Sequence, residues 1–258
     1  MISRRYDDLA VSIHADATAL GKAIAEEFTA AVRNGLQEQE TVGVVLQTGG
    51  SQRPFYEALG EMDLDWSRIE LFHLDEYIGI PGDHPLSFRR WIREHVAERF
   101  GARTFHELRG DAADPVAEAR RYGDLLRARD PQVCVLSIGE DGQLAFNEPP
   151  AEFHTLDAVL IVELAEGSRR QLVRQGQFER PEDAPDLALS LSIPALLSRR
   201  HVLACVPERR KAAAVRAALE GPITRSVPAS SLRTCPRAHV HLDAAAASEL
   251  ADAVAPQA

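Results

Sequence analysis

Asp141 and Glu148 flank a turn holding two glycines, Gly-Glu-Asp-Gly-Gln-Leu-Ala-Phe-Asn-Glu-Pro over residues 139–149, which follows the apolar run 133–138. Asp75 and Glu76 follow a second apolar run, 69–74, and Thr48-Gly49-Gly50-Ser51 follows a third, 42–46. A carboxylate can take a proton from carbon next to a carbonyl when its surroundings raise its pKa. A glycine-rich turn lets backbone amides close on an anion such as phosphate. Adjacent carboxylates at 75 and 76 point in different directions, so one faces a crevice while the other makes structural hydrogen bonds. Phe146 and Ala145 are placed to desolvate the neighbouring acids.

Taken singly, each cluster also fits an ordinary turn or helix cap. The Thr48–Ser51 loop is neither a Walker loop nor a G-x-G-x-x-G fingerprint, so no nucleotide is implied. Arg169, Arg209, Arg210 and Lys211 have the chemistry to contact phosphate oxygens. Lys211 stands out because only Lys22 and Lys211 occur among 29 basic residues. His73, His84 and His154 lie near the clusters in sequence, but no metal-type spacing joins them, and no metal or cofactor is expected.

These loops need a frame that brings them together. The run 42–46 is continuously apolar, as a strand covered on both faces is, and the runs 69–74 and 133–138 read as two further strands. Later strand candidates are 158–164, 187–193, 202–206 and 239–242. Leu20, Ile24, Phe28 and Val32 mark an amphipathic helix predicted to end at Asn34-Gly35. Further helices are predicted at 52–59, around Phe88 to Val96 with Pro85 in the first turn, at 116–127, at 167–174 and at 208–219. Strands alternating with helices give an α/β fold: a doubly wound, mostly parallel sheet with helices on both faces. In such a sheet the segments leaving the carboxyl ends of strands share one crevice. Glu179 to Asp186, acidic and with two prolines, is expected to be an exposed loop.

The chain has 258 residues and no composition break, which suits one domain over 1–258. No apolar run approaches the roughly 20 residues of a membrane-spanning helix, and no apolar signal core follows the N-terminal arginines. A net charge of −10 argues against nucleic acid or an anionic membrane as partner. Cys134, Cys205 and Cys235 form no metal spacing; Cys134 and Cys205 fall inside strand runs as small hydrophobes, and a reducing cytoplasm is expected.

Leu74-Asp75-Glu76-Tyr77-Ile78-Gly79-Ile80-Pro81, continuing through Asp83-His84-Pro85 and Ser87-Phe88, resembles the signature segment of glucosamine-6-phosphate deaminases. Residues 139–149 resemble that family's second signature, G-x-D-G-H-I-A-F-N-E-P. Gly167-Ser168-Arg169, the Lys211 helix and Pro228-Ala229-Ser230-Ser231-Leu232 support the likeness, which spans roughly residues 40 to 243. The resemblance implies a modified Rossmann-like fold and cofactor-free conversion of an amino-sugar 6-phosphate to fructose 6-phosphate and ammonia. It places Thr48, Gly49, Gly50, Ser51, Glu76, Gly142, Arg169 and Lys211 on the substrate. It makes Asp75 the base moving a proton between C2 and C1, with Asp141 and Glu148 supporting the ring-opening acid.

The departure is Gln143, where that family carries the histidine that opens the pyranose. A carboxamide has no titratable proton near neutral pH. Ring opening then falls to solvent or another group such as His154, or the substrate arrives open, or the protein binds a sugar phosphate without turnover. The related 6-phosphogluconolactonases share the fold and use a histidine at the same place; Asp75-Glu76-Tyr77 and Asn147-Glu148-Pro149 fit the deaminases better. The expected partner is a small sugar phosphate, with the chain a monomer or homo-oligomer. The stretch 149–162 holds no Lys or Arg, where allosteric deaminases place basic activator-binding residues, so activation by an N-acetylated sugar phosphate is not expected.

Overall fold

Every residue of Val42–Leu46, Ile69–His73 and Val133–Leu136 is buried, as strands covered on both faces require. The computed structural model describes residues 1–174 and 176–251. Its strands are β1 (Ile2–Tyr6), β2 (Leu9–His14), β3 (Val42–Leu46), β4 (Ile69–His73), β5 (Asp75–Tyr77) and β6 (Thr104–Phe105). They continue with β7 (Val133–Leu136), β8 (Val159–Glu163), β9 (Leu187–Leu191), β10 (His201–Val206) and β11 (Ala238–Asp243). The helices are α1 (Ala17–Glu38), α2 (Arg53–Leu59), α3 (Phe88–Ile92), α4 (Glu98–Phe100), α5 (Pro115–Arg129), α6 (Glu166–Arg174), α7 (Ile193–Leu197) and α8 (Ala212–Glu220). A π turn, Arg93–Ala97, joins α3 to α4.

Eight strands form one sheet in the order β1-β2-β11-β10-β7-β3-β4-β6. All neighbours in it run parallel except the edge hairpin β1–β2. Side chains alternate between its two faces. Val42, Val44, Leu46, Val133 and Val135 pack with the α1 row Leu20, Ile24, Phe28 and Val32. Val45, Cys134 and Leu136 face the other way, toward Tyr122 and Leu126 of α5 and Val215 and Leu219 of α8. Each such apolar side chain contributes about 1.5–3 kcal/mol when fully buried. The expected doubly wound sheet with helices on both faces is therefore observed.

Several local expectations are corrected. The 158–164 and 187–193 runs do not join the main sheet; β9 pairs antiparallel with both β5 and β8 in a second sheet, and Ser192 caps α7. The hairpin β1–β2 was not foreseen. Helix α1 runs past Asn34-Gly35 to Glu38 because Gly35 is a packing glycine. A Cβ there would lie 2.7 Å from Val42 and 2.8 Å from Gln132. Pro85 precedes α3 instead of entering its first turn, since the Ser87 side chain caps the helix by accepting from Arg90 N–H. Among the described residues, no helix is long and apolar enough to cross a membrane.

Candidate active site

Strand order reverses between β3 and β7, the point at which an open parallel sheet leaves a crevice. A cavity of about 390 Å³ opens there. The β3 loop supplies Thr48, Gly49, Gly50 and Ser51, β5 supplies Asp75, the β7 loop supplies Ser137 and Gln143, and the β10 loop supplies Arg210 and Lys211. Loops far apart in sequence thus meet at one site, as their positions after apolar runs implied.

Asp75 and its neighbour divide as alternation along a strand requires. Asp75 lines the cavity, whereas Glu76 turns into the protein. One Glu76 oxygen accepts from Tyr77 N–H at 3.0 Å and Phe88 N–H at 3.2 Å. The other accepts from Ser87 Oγ at 2.7 Å and Arg89 N–H at 2.8 Å. Glu76 therefore anchors the start of α3 and does not reach the cavity, which corrects its expected place on the substrate. Burial, reinforced by the charge of Glu76, lifts the Asp75 carboxyl to about 8. His73 fixes the Asp75 backbone: its Nδ1 lies 3.0 Å from the Asp75 carbonyl and its Nε2 accepts from Leu108 N–H at 2.9 Å. Burial lowers the His73 pKa to about 3, so the ring is a neutral structural group. Tyr77, Phe88 and Phe146 form an aromatic wall beside the acid, with the Tyr77 ring 4.7 Å from Phe88 and 5.4 Å from Phe146.

The Thr48–Ser51 loop stands open. Gly49 has φ +105°, a conformation that disfavours any other residue, and a Cβ at Gly49 or Gly50 would meet nothing within 4 Å. Lys211 is buried, and its Nζ donates to Ser137 Oγ at 2.6 Å, which in turn donates to the Cys205 carbonyl at 2.7 Å. Burial lowers the Lys211 pKa to about 8. Glu208 adopts φ +85° at the start of this loop, held by the Asp243 carboxylate, which accepts its N–H at 3.1 and 3.2 Å. Such strain persists where surrounding contacts enforce it, here just before the lysine. Arg210 is bound to Glu208 and Glu140, each at 2.6 Å, so its charge is balanced at the cavity edge.

The β7 turn is closed on itself. Gly139 N–H donates to the Gln143 carbonyl at 2.9 Å, and Gln143 N–H donates to Asp141 Oδ1 at 3.0 Å. A Cβ at Gly139 would lie 2.4 Å from the Gln143 side chain, so a glycine is needed for that approach. Gln143 Oε1 is buried and has no hydrogen-bond partner among the described residues. In the wall of a cavity, such an oxygen is ready to accept from a ligand hydroxyl.

Other expected site residues lie outside the cavity lining. Asp141 is exposed and shapes the turn through the Gln143 amide, so Phe146 and Ala145 border the cavity without desolvating it. Gly142 turns the same loop at φ +87°. Glu148 accepts from Ala165 N–H at 2.9 Å. Arg169 pairs with Asp186. His154 is exposed and absent from the lining, so it does not join Gln143 at the cavity. Conversely, Ser137, Tyr77 and Glu140 line the cavity without having been singled out. Ser137 was detectable as the one polar residue within the otherwise apolar run 133–138.

Comparison with known proteins identifies the family. Residues 15–241 match the family described as glucosamine-6-phosphate isomerases/6-phosphogluconolactonase. A glucosamine-6-phosphate deaminase from an Exiguobacterium species is 35% identical over 210 residues, 81% of each chain. One from Streptococcus pneumoniae serotype 4 is 34% identical over 233 residues, 89% of this chain and 95% of that one. Among solved structures, a monomeric glucosamine-6-phosphate deaminase superposes with a TM-score of 0.83 at 28% identity, covering 92% of this chain and 98% of the other. A 6-phosphogluconolactonase from Thermotoga maritima shares the fold, with a TM-score of 0.73 at 20% identity over 91% of this chain and 99% of that one. With two thirds and more of its length matched and its cavity at the strand reversal, the chain belongs to the glucosamine-6-phosphate isomerase/6-phosphogluconolactonase family.

Proposed function

We propose that this protein is an aldose–ketose isomerase/deaminase that converts an amino-sugar 6-phosphate to a ketose 6-phosphate and ammonia. The observation that carries this is the buried Asp75 carboxyl, lifted to about 8, in the same cavity as the glycine loop and Lys211. The loop amides and the Lys211 ammonium hold the phosphate. Glu76, Arg169 and Gly142, outside the lining, support the site's walls. Asp75 as carboxylate takes the proton from C2 of the open-chain aldehyde, and the electron pair forms the C1–C2 double bond of an enolamine while the C1 carbonyl π pair moves onto its oxygen, which takes a proton from water. Returning the proton to C1 leaves an iminium at C2. Water adds there and ammonia departs, giving the ketose. One water is consumed, one ammonia leaves, and no electrons are exchanged with a third party, so no cofactor is called for.

Gln143 holds a substrate hydroxyl through its amide oxygen but supplies no proton, so ring opening is left to water. A lost general acid costs about 10²–10⁴ in rate. Every group used comes from one chain, so a monomer suffices. The three buried free cysteines suit a reducing cytoplasm. Binding without turnover is the second reading, favoured only by Gln143; lactone hydrolysis is the third and rests on fold likeness.

The test is release of ammonia and fructose 6-phosphate from glucosamine 6-phosphate, run beside hydrolysis of 6-phosphogluconolactone. Stoichiometric ammonia and ketose are expected. Lactone hydrolysis without ammonia, or tight sugar-phosphate binding with no product, would overturn the proposal.

A further inference from the structure

None of the nine histidines lines the cavity, and three of them, His14, His239 and His241, gather with one glutamate on the sheet face covered by α1. His239 and His241 lie two residues apart on β11, so their side chains share a face. Ser12 and His14 share the corresponding face of β2, which pairs parallel with β11 and sets Ser12 beside His241. Glu27 reaches them from α1. Its Oε2 lies 2.8 Å from His239 Nδ1 and 3.1 Å from His241 Nε2, and the three atoms fall within 4.8 Å of one another. We propose that Glu27, His239 and His241 form a binding site for a divalent transition ion of the zinc class, tying α1 to the β2–β11 edge.

Three features argue for a built site instead of a plain hydrogen-bond cluster. Two imidazole nitrogens and one carboxylate oxygen are the donor types zinc takes, at about 2.0–2.2 Å each. Tetrahedral donors at those lengths stand about 3.4 Å apart, so the separations here need only small adjustment. Second, the nitrogen of each imidazole turned away from Glu27 already has a partner. His239 Nε2 lies 2.9 Å from Ser12 Oγ, and His241 Nδ1 lies 3.2 Å from His14 Nε2. When the ion takes the inner nitrogens, the ring protons move outward onto groups that accept them, and such outer partners fix ligand orientation. Third, His241 is 2% exposed while His239 and Glu27 are 24% and 37% exposed. The site is thus anchored inside and open outside, with room for water as the fourth ligand.

The test is titration of the chelator-treated full chain with Zn²⁺ by calorimetry and with Co²⁺ by visible absorption at pH 7.5. One equivalent binding at sub-micromolar Kd is expected, with the intense visible bands of four-coordinate cobalt. His239→Gln, at a partly exposed position, should weaken binding by more than about 100-fold. Ser12→Ala, which removes only an outer partner, should weaken it by about 10-fold or more. Circular dichroism confirms that both variants are folded. Absence of binding below 100 micromolar, or affinity unchanged in both folded variants, would overturn the assignment.

Discussion

Replacing Asp75 by asparagine separates the carboxyl's proposed chemistry from its effect on stability. The folded-state pKa is raised from 3.8 to about 8 by burial and by Glu76. Between those values the folded chain keeps a proton that the unfolded chain has released. Stability from this group is therefore fully present below about pH 4, declines as pH rises, and levels off above about 8. The slope approaches about 1.4 kcal/mol per pH unit, which amounts to about 2.5 kcal/mol between pH 5 and 7. Asparagine cannot titrate. In parallel denaturant unfolding, the variant's stability relative to the parent should rise by about that amount between pH 5 and 7. Turnover should vanish while competitive inorganic phosphate still binds. A stability difference independent of pH, or retained turnover, would refute the assignment of Asp75 as a buried, catalytically required acid.

Other consequences concern the remaining groups. Asp75 must be ionised and Lys211 charged, and both sit near 8, so kcat/KM should rise to a maximum near pH 8 and fall above it. A profile flat from about pH 6 to 10 would contradict both roles. Lys211→Met should raise KM far more than it lowers kcat, as measured by steady-state kinetics. Gln143→His should raise kcat by up to about 10²–10⁴-fold if ring opening by water limits turnover; no gain would mean that the opened sugar is not the bottleneck. Gly139→Ala pushes a methyl against Gln143 and Asp141, and should cost about 1–3 kcal/mol in denaturant unfolding together with most activity. Substrate saturation should be unaffected by an N-acetylated sugar phosphate, and sigmoidal kinetics relieved by it would show otherwise.

The central sheet was legible because β3, β4 and β7 are buried on both faces, so β3 and β7 carry no polar side chain and β4 only Glu70 and His73. The meeting of the Thr48, Asp75 and Gln143 loops followed from that sheet by geometry. The second sheet was not legible: β8 and β9 carry the same local strand signal, and the pairing of β9 with β5 joins residues over a hundred positions apart in sequence. Gly35 read as a helix end because glycine's lack of a side chain serves close packing equally well. Alternation predicted that only one of Asp75 and Glu76 faces the crevice, yet which one depends on Ser87, Phe88 and Arg89 gathering around Glu76. Arg169 and Glu148 have charges that suit the site, but their side chains here engage Asp186 and the Ala165 amide, partners that sequence spacing does not reveal. Arg210 looked like one surface arginine among many until folding set Glu140 beside it.

The claim that Asp75 removes the C2 proton is tested most directly with glucosamine 6-phosphate carrying deuterium at C2, followed by NMR. With the native protein the label should leave C2 as fructose 6-phosphate forms, and with Asp75→Asn it should stay in place although the sugar phosphate still binds. Loss of the C2 deuteron at an undiminished rate in that variant would contradict the account.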